Sequence, residues 1–208
     1  ADPDAGRRRS LAEAHGIPAA MCFASYADLA ARPPVADAVI NGTMDRLHFA
    51  SSLPLLERGY HMLLEKPIAA AEAEVRALIE AAQRMRRTVM ICHVLRYAPF
   101  YVRVKELLAA GALGRVVSLR TAELVSYHHM ALGFVRGKWN RRDLSNPMLL
   151  AKCCHDLDLL AWFLSGTPPV RVASFGALSQ FRPENAPAGS TARCLDGCAL
   201  EATCPYSA

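Results

Sequence analysis

Two periodicities alternate along the first half of the chain. Short runs of apolar residues, bounded by turn-forming residues and suited to buried strands, occur at 36–43, 60–64 and 88–92. Stretches with the 3.6-residue period of an amphipathic helix occur at 7–15, 25–31, 46–58 and 71–86. Strands that alternate with helices over short links predict a parallel sheet with right-handed crossovers.

Capping and breaking residues support the predicted helices. Ser25 is a suitable N-cap for the second helix, and Gly59 is a suitable stop for the third. Pro54 falls within the helical stretch 46–58, where we expect it in the first turn or at a kink. In the helix predicted at 71–86, acidic residues come early and basic residues late, as the helix dipole favours.

The pattern changes after residue 93. Helical spacing is present at 99–110, and a helix that is apolar almost all round is predicted at 155–164. Residues 115–125 and 170–181 have the composition of strands in a mixed or antiparallel sheet. Residues 126–147 show no regular period and are rich in aromatic and basic side chains.

These elements divide the chain into two predicted domains, with a boundary near residue 95. Residues 1–95 form a dinucleotide-binding domain with a parallel sheet, and 96–208 form an α/β domain whose sheet is mainly antiparallel. A helical pattern begins directly after Asp4, without a preceding strand, and the chain ends in loop-like sequence at 204–208. We therefore expect a fragment that lacks its first strand–helix unit and the C-terminal end of the second domain.

Composition restricts the class of protein. The 208 residues are 52% hydrophobic, enough for one large domain or two small ones with hydrophobic cores. A net charge of +5 without a dense basic face argues against nucleic-acid binding. No apolar run reaches the length of a membrane span. Seven cysteines, an odd number, favour reduced thiols in a cytoplasmic protein over a disulfide scaffold.

The most informative stretch is the strand 60–64 with Glu65-Lys66-Pro67 behind it. Parallel sheets bind ligands outside the carboxyl ends of their strands, so these charges are placed for chemistry. Like charge and burial both lower the pKa of a lysine beside a cationic nicotinamide ring. A neutral amine there accepts a proton from a substrate hydroxyl while the adjoining carbon gives up hydride. The alternative is a solvated ion pair in a turn.

Two further positions suit a dinucleotide site. Asp2 follows a presumed strand, where a carboxylate accepts hydrogen bonds from the adenosine ribose hydroxyls; a simple Asp-Pro turn is the alternative. The turn at 41–45, with Thr43 and the nearby His48, follows the next strand. Small residues there let a flat cofactor approach the backbone closely, although Asp45 also suits a helix cap.

A third group begins the predicted buried helix. Lys152, His155 and Asp158 are spaced by three residues, so a helix that starts here carries them on one face. A lysine at a helix amino end is disfavoured as a cation, which argues for a perturbed amine. Asp158 is placed to hold His155 in one tautomer. A purely structural His-Asp pair is the alternative.

Three cysteines, Cys194, Cys198 and Cys204, lie close together in a loop with Gly and Pro residues. Three thiolates can bind zinc, but a fourth ligand is missing and the spacing is not that of a common zinc motif. We expect unliganded, reduced thiols and no metal, with a zinc site at these cysteines as the alternative.

Together these residues resemble the glucose–fructose oxidoreductase, inositol dehydrogenase and rhizopine-catabolism (Gfo/Idh/MocA) family. Glu65-Lys66-Pro67 is the most specific match. Asp37 to His48 looks like the family's fourth strand and turn, Arg115 to Val117 like the start of its second sheet, and Cys154 to Leu160 like its catalytic helix. The resemblance implies an incomplete Rossmann domain followed by an α/β domain with a large open sheet, which commonly forms a dimer interface. It also implies NAD- or NADP-dependent oxidation or reduction of a sugar, cyclitol or related polyol.

The resemblance implies roles for residues of the first domain. Asp2 would hold the adenosine ribose, and Thr43 and His48 would line the cofactor turn. Glu65 would bind the nicotinamide ribose, and Lys66 would bridge cofactor and substrate.

It implies catalytic roles in the second domain as well, with one departure. Most family members carry an aspartate at the position of Ala151, and Lys152 beside it would take over that role, as in a subgroup with an Ala-Lys-x-x-His-Asp pattern. His155 would contact the reacting hydroxyl as acid or base. The general base is therefore open among Lys66, Lys152 and His155.

Cofactor choice and reaction class have alternatives. A carboxylate at Asp2 would repel a 2′-phosphate and favours NAD, whereas Arg7 to Arg9, one helical turn away, would accommodate NADP. The same fold also supports an NAD-dependent glycosidase that works by transient oxidation and elimination, or a non-catalytic nicotinamide or metal sensor. The expected partners are a small sugar or polyol and further copies of the chain.

Overall fold

The computed structural model describes residues 1–207 as two compact units, one from Ala1 to His93 and the other from Val94 onward. Within residues 1–207, the β-strands all lie in the first unit, whereas the regular structure of the second is helical. No helix in this part of the chain is long and apolar enough to cross a membrane.

The first unit is a parallel sheet with helices before and between its strands. The helices are α1 (Ala5–His15), α2 (Tyr26–Ala30), α3 (His48–Arg58) and α4 (Glu72–Met85), and the strands are β1 (Ala38–Asn41), β2 (His61–Leu64) and β3 (Val89–Ile91). The strands lie in the order β1-β2-β3, all parallel, with Ala38 opposite His61 and Met62 opposite Val89. The parallel sheet predicted from the sequence is confirmed.

The core of this unit lies around β2, α3 and α4. Leu56, Tyr60 and Leu64 are fully buried, and Ala81 of α4 packs in the same cluster. The Tyr60 hydroxyl accepts a hydrogen bond of 3.1 Å from the backbone N–H of Val35, so its polar atom is satisfied. Burial of a large apolar side chain contributes roughly 1.5–3 kcal/mol, which fixes β2 and the segment that follows it.

The helix ends use the predicted signals, with one exception. Ser25 accepts from the N–H of Asp28 at 3.1 Å while the Asp28 carboxylate accepts from the N–H of Ser25 at 3.0 Å, a complete capping box. Gly59 ends α3 with a φ of 102°, which favours glycine. Of the two positions expected for Pro54, the first turn is wrong, because α3 begins at His48 and Pro54 lies in its interior; the expected kink stays a prediction.

The second unit consists of helices joined by extended segments. Its helices are α5 (Pro99–Ala109), α6 (Tyr127–Met130) and α7 (Met148–Phe163), with a π-helical turn at Ala131–Val135 and 3-10 turns at Val94–Tyr97, Pro183–Asn185 and Cys194–Asp196. The helix predicted to begin at or near Lys152 starts earlier, because Pro147 caps a run of strong helix formers.

The predicted strands at 115–125 and 170–181 are not formed in this structure. Both segments lack regular structure, and the mainly antiparallel sheet is therefore absent from residues 94–207. A strand exists only when a neighbouring strand accepts and donates its backbone hydrogen bonds, and neither segment has such a neighbour here. Their apolar side chains consequently face solvent, as shown by Val170 at 100% exposure and Phe175 at 97%.

Candidate active site

The carboxyl ends of the three strands deliver polar residues to one edge of the sheet. The N–H of Glu65 donates to the carbonyl of Asn41 at 3.0 Å, and the N–H of Cys92 donates to the carbonyl of Leu64 at 2.9 Å. In the strand register Asn41 lies opposite Leu64, and these bonds place Glu65 and Cys92 one residue beyond the last paired residues, at the same edge of the sheet. Ligands of parallel α/β sheets bind at this edge.

A buried polar network shapes the turn after β1. Nδ2 of Asn41 donates to the hydroxyls of Ser51 and Ser52 at 2.8 and 2.9 Å. Oδ1 of Asn41 accepts from the Thr43 hydroxyl at 2.9 Å and from the Thr43 N–H at 3.2 Å. Asn41 and both serines are at most 4% exposed. The network holds Thr43 and its backbone in a fixed turn, because each buried donor and acceptor has a partner.

His48 joins that turn to the segment after β2. Its Nδ1 lies 2.6 Å from the carbonyl oxygen of Pro67, and its Nε2 lies 2.9 Å from the carbonyl oxygen of Thr43. The side chain is only 1% exposed. Since both ring nitrogens already contact backbone carbonyls, the imidazole fixes the distance between the two loops rather than presenting a nitrogen to solvent.

Glu65 and Lys66 are half-buried at the end of β2. Oε2 of Glu65 accepts from the N–H of Lys66 at 3.2 Å, and the Lys66–Pro67 peptide bond is cis. Burial first, and then the Glu65 carboxylate, raise the pKa of the Cys92 thiol. A neutral thiol, directly after β3, is thus the neighbour of Glu65, which is a contact that the sequence pattern did not reveal.

Asp2 lies at the start of the chain beside α1. Its two carboxylate oxygens accept from Arg7 at 3.0 and 3.2 Å, and Oδ1 also accepts from the N–H of Asp4 at 2.8 Å. Hydrogen bonding to Arg7 is the main cause that lowers the pKa of Asp2, so the group is ionised. An open cleft of about 460 Å³ is lined by Asp2, Arg8 and Phe23 among others, which leaves space beside the carboxylate for a ligand.

In the second unit, Lys152 lies in the second turn of α7 rather than at its amino end. The expected helix-dipole effect on its charge is therefore wrong, because that effect fades beyond the first turn. Lys152 Nζ lies 2.8 Å from Nε2 of His129 on α6, and 5.8 Å from the ring centroid of Phe134. His129 was missed by sequence reasoning, since no period connects it with α7.

The carboxylate of Asp158 is bound by a guanidinium that the spacing along the helix did not suggest. The carboxylate accepts two hydrogen bonds from Arg96, at 2.6 and 2.7 Å, in a fork with the carboxylate only 9% exposed. Arg96 offers two parallel donors, a geometry that a carboxylate prefers over a single imidazole N–H. Asp158 thus anchors the 3-10 turn Val94–Tyr97 to α7.

The three-cysteine loop does not form a metal site within residues 1–207. In this part of the chain no three His, Cys, Asp or Glu side chains are arranged to hold a metal ion, and none of the seven cysteines forms a disulfide. Nη1 of Arg136 instead donates to Sγ of Cys194 at 3.3 Å. The zinc alternative at Cys194, Cys198 and Cys204 therefore lacks the clustered thiolates that it requires.

The site residues predicted from sequence fall into two sets. Five of them lie in the first unit: Asp2, Thr43, His48, Glu65 and Lys66. Lys152 and His155 share α7 in the second unit. The sequence pattern did not identify the residues that contact these groups, which are Asn41, Ser51, Cys92 and His129. A polar residue at a strand end could have indicated Asn41, whereas the others depend on tertiary contacts.

Comparison with protein families gives two matches that together cover most of the chain. Residues 1–93 match an oxidoreductase family with an NAD-binding Rossmann fold, and residues 101–198 match the GFO/IDH/MocA C-terminal domain. The two matches follow one another in the order of the two units.

Individual relatives agree with these matches. A putative oxidoreductase, YteT of Bacillus subtilis, is 31% identical over 72% of this chain and 34% of its own length. The trans-1,2-dihydrobenzene-1,2-diol dehydrogenase of Xenopus laevis is 29% identical over 85% of this chain and 51% of its own. The chain thus spans a third to a half of the length of these relatives.

Among solved structures, an inositol dehydrogenase homologue from Azotobacter vinelandii, complexed with NAD+, superposes with a TM-score of 0.69. Its identity is 25%, and the match covers 78% of this chain and 44% of that one. The Rossmann-like fold of the first unit is therefore shared with a dehydrogenase that binds this cofactor.

Proposed function

Because this chain belongs to the Gfo/Idh/MocA oxidoreductase family, we propose that the complete protein transfers hydride between a nicotinamide cofactor and a carbon that carries a hydroxyl group. The substrate class we propose is a sugar, cyclitol or related polyol. The single observation that carries the proposal is that Asn41, Glu65 and Cys92 lie together at the carboxyl edge of a parallel sheet, with Lys66 directly after Glu65 in the chain.

The residues at this edge fit a dinucleotide. The ionised carboxylate of Asp2, beside an open cleft, suits the hydroxyls of the adenosine ribose. The turn at Thr43, held by buried hydrogen bonds, offers a rigid backbone surface to a flat ring. Glu65 is placed for the nicotinamide ribose. When bound, NAD supplies the carbon that accepts or donates hydride.

The chain itself must move the proton. As the substrate carbon loses hydride to the cofactor, its hydroxyl proton passes to a nearby amine or imidazole. Lys66, Lys152 and His155 are the proposed catalytic residues, and a hydrogen-bonding group within reach of the hydroxyl contributes typically 10²–10⁴-fold to such a step.

NAD is the proposed cofactor, with NADP as the alternative. The Asp2–Arg7 ion pair supports this choice, because the Arg7 guanidinium already binds the Asp2 carboxylate and would have to leave it to bind a 2′-phosphate. A 2′-phosphate would meet the negative charge of Asp2, while Arg8 and Arg9 remain as the groups that would favour NADP.

We also propose a sheet, an oligomer contact and a location for the complete protein. We propose an open, mainly antiparallel sheet in the second domain, association of copies through that sheet, and a cytoplasmic location, since none of the seven cysteines of residues 1–207 forms a disulfide. The relatives named above are a dehydrogenase and an oxidoreductase, which gives no support to the glycosidase or sensor alternatives.

The test is net cofactor turnover by the complete protein with a panel of sugars and cyclitols. We expect NADH to accumulate in proportion to oxidised product, and Lys66→Met to lower kcat by about 10²–10⁴-fold. Lys138→Met, a change at an exposed lysine, is the matched control. NADH formation that is unaffected by Lys66→Met would remove Lys66 from the mechanism, and turnover without net NADH would exclude the dehydrogenase.

A further inference from the structure

Three consecutive elements of the second unit converge on one amine. The amine is that of Lys152 on α7. It contacts the imidazole of His129 on α6 and the ring of Phe134 in the π-helical turn Ala131–Val135. The distances are 2.8 Å from Nζ to His129 Nε2 and 5.8 Å from Nζ to the Phe134 ring centroid. His129 is exposed and Lys152 is half-buried.

We propose that His129 is a positioning residue for Lys152, which it holds by a hydrogen bond on the face of α7 that also carries His155. Residues three apart on a helix share a face, so Lys152 and His155 lie on the same side of α7. The inference rests on the proposed function, because it assigns Lys152 a part in the same reaction.

The two contacts define the charge of the amine. An ammonium group donates to Nε2 of an imidazole when the ring proton is on Nδ1, and this is the arrangement we propose for Lys152 and His129. The negative face of an aromatic ring attracts an ammonium group within about 6 Å. In the proposed arrangement Lys152 is an ammonium group, and such a group stabilises negative charge that develops on a substrate oxygen.

The backbone around Phe134 is shaped for this contact. A Cβ at Gly133 would lie 3.6 Å from the His129 ring, so the ring packs directly on the glycine. A Cβ at Gly137 would lie 2.2 Å from the Leu132 carbonyl oxygen, a collision that only glycine avoids. Turns of π-helix inside or beside α-helices occur frequently at functional sites.

The proposal is tested by the chemical reactivity of Lys152 in the complete protein. Competitive acetylation with N-hydroxysuccinimidyl acetate, read by mass spectrometry, measures how available the amine is. We expect His129→Leu to raise the acetylation rate of Lys152 by about three- to tenfold, the range set by loss of one hydrogen bond. We expect His129→Gln, which keeps an acceptor, to stay within about twofold of the unaltered protein. His128→Leu is the control on the same helical turn.

Steady-state kinetics complete the test. We expect His129→Leu to lower kcat by about tenfold or more with little change in the cofactor KM, and His129→Gln to recover most of kcat. Thermal melts check that each variant is folded, and His129→Ala replaces His129→Leu if the latter does not fold. An unchanged acetylation rate, or faster acetylation with unchanged kcat, overturns the positioning role.

The two proposals fail in different ways. If the unaltered protein forms no NADH with any substrate, the proposed function fails, while the acetylation ratio still decides whether His129 holds Lys152. Acetylation requires neither cofactor nor substrate, so its result does not depend on knowing the reaction.

Discussion

Individual thiols in this chain differ in acidity because their surroundings differ. Hydrogen bonds from the backbone of Thr191 and Leu200 lower the pKa of Cys198. Burial raises the pKa of Cys92, with a further rise from Glu65. Burial also raises the pKa of Cys153, with further rises from Asp156 and Glu123. Thiolate, not thiol, is the nucleophile in alkylation, so these shifts translate into rates.

We therefore predict that Cys198 reacts with iodoacetamide faster than Cys92 or Cys153 at neutral pH. Its thiolate forms at lower pH, since its pKa is lowered, whereas Cys92 and Cys153 need a pH above the ordinary thiol range. Mass spectrometry of peptides alkylated between pH 6 and pH 10 measures the three rates. In denaturant the differences should disappear, and equal rates in the folded protein would contradict the prediction.

Between elements, the most informative contact is His48, which joins the turn after β1 to the segment after β2. Each of its ring nitrogens contacts a buried or half-buried carbonyl, at Thr43 and Pro67. A replacement without polar atoms leaves both carbonyls without this partner, and a buried unsatisfied group costs about 1–3 kcal/mol.

We predict that His48→Phe lowers the free energy of unfolding by about 1–3 kcal/mol, because a buried carbonyl acceptor loses its imidazole donor. Urea denaturation followed by circular dichroism measures this loss. His15→Phe, at the exposed end of α1, is the matched control and should change the stability little. A loss no greater than that of the control would show that His48 does not brace the two loops.

The elements differ in how far the sequence could predict them. The three strands were predictable because each is a short apolar run between polar or turn-forming residues. For β2 these are Gly59 before the strand and Glu65-Lys66 directly after it. The polar residues Lys152 and His155 predict a start for α7 that is too late. The helix begins at Met148, directly after Pro147. Propensity at 148–150 could have corrected this.

The site was less predictable than the sheet. Contacts such as His129–Lys152 and Arg96–Asp158 join residues far apart in the chain through turns without a regular period. Sequence spacing placed Asp158 and His155 on one face of a helix, but it did not reveal the guanidinium of Arg96, which binds the Asp158 carboxylate from another element. The local sequence pattern predicts on which face of a helix a residue lies, whereas the side chain that it contacts depends on how the whole unit folds.

At the scale of the whole molecule, the extended segments 115–125 and 170–181 are the main departure from prediction. Leu124 is 90% exposed and Val170 is 100% exposed. Apolar surface costs roughly 25 cal/mol per Å² to leave in water. This cost favours pairing of the two segments with further strands, as the proposed antiparallel sheet requires.

We predict that these segments are paired in the complete protein, and that their amides exchange hydrogen as slowly as those of β1–β3. Hydrogen–deuterium exchange by mass spectrometry measures this, with β2 as the protected reference and the loop 186–193 as the fast reference. Exchange as fast as that of the loop would refute the proposed sheet.

The two ends of the proposed cofactor site also respond differently to salt. The turn after β1 is held by Asn41 and hydroxyl groups, none of which carries a charge. The Asp2–Arg7 pair is an exposed ion pair, with the arginine side chain 69% exposed, and mobile ions screen such pairs over about 10 Å at 0.1 M. Rising ionic strength thus leaves the uncharged hydrogen bonds of the turn after β1 intact. It weakens the Asp2–Arg7 ion pair at the proposed adenosine end of the cofactor site.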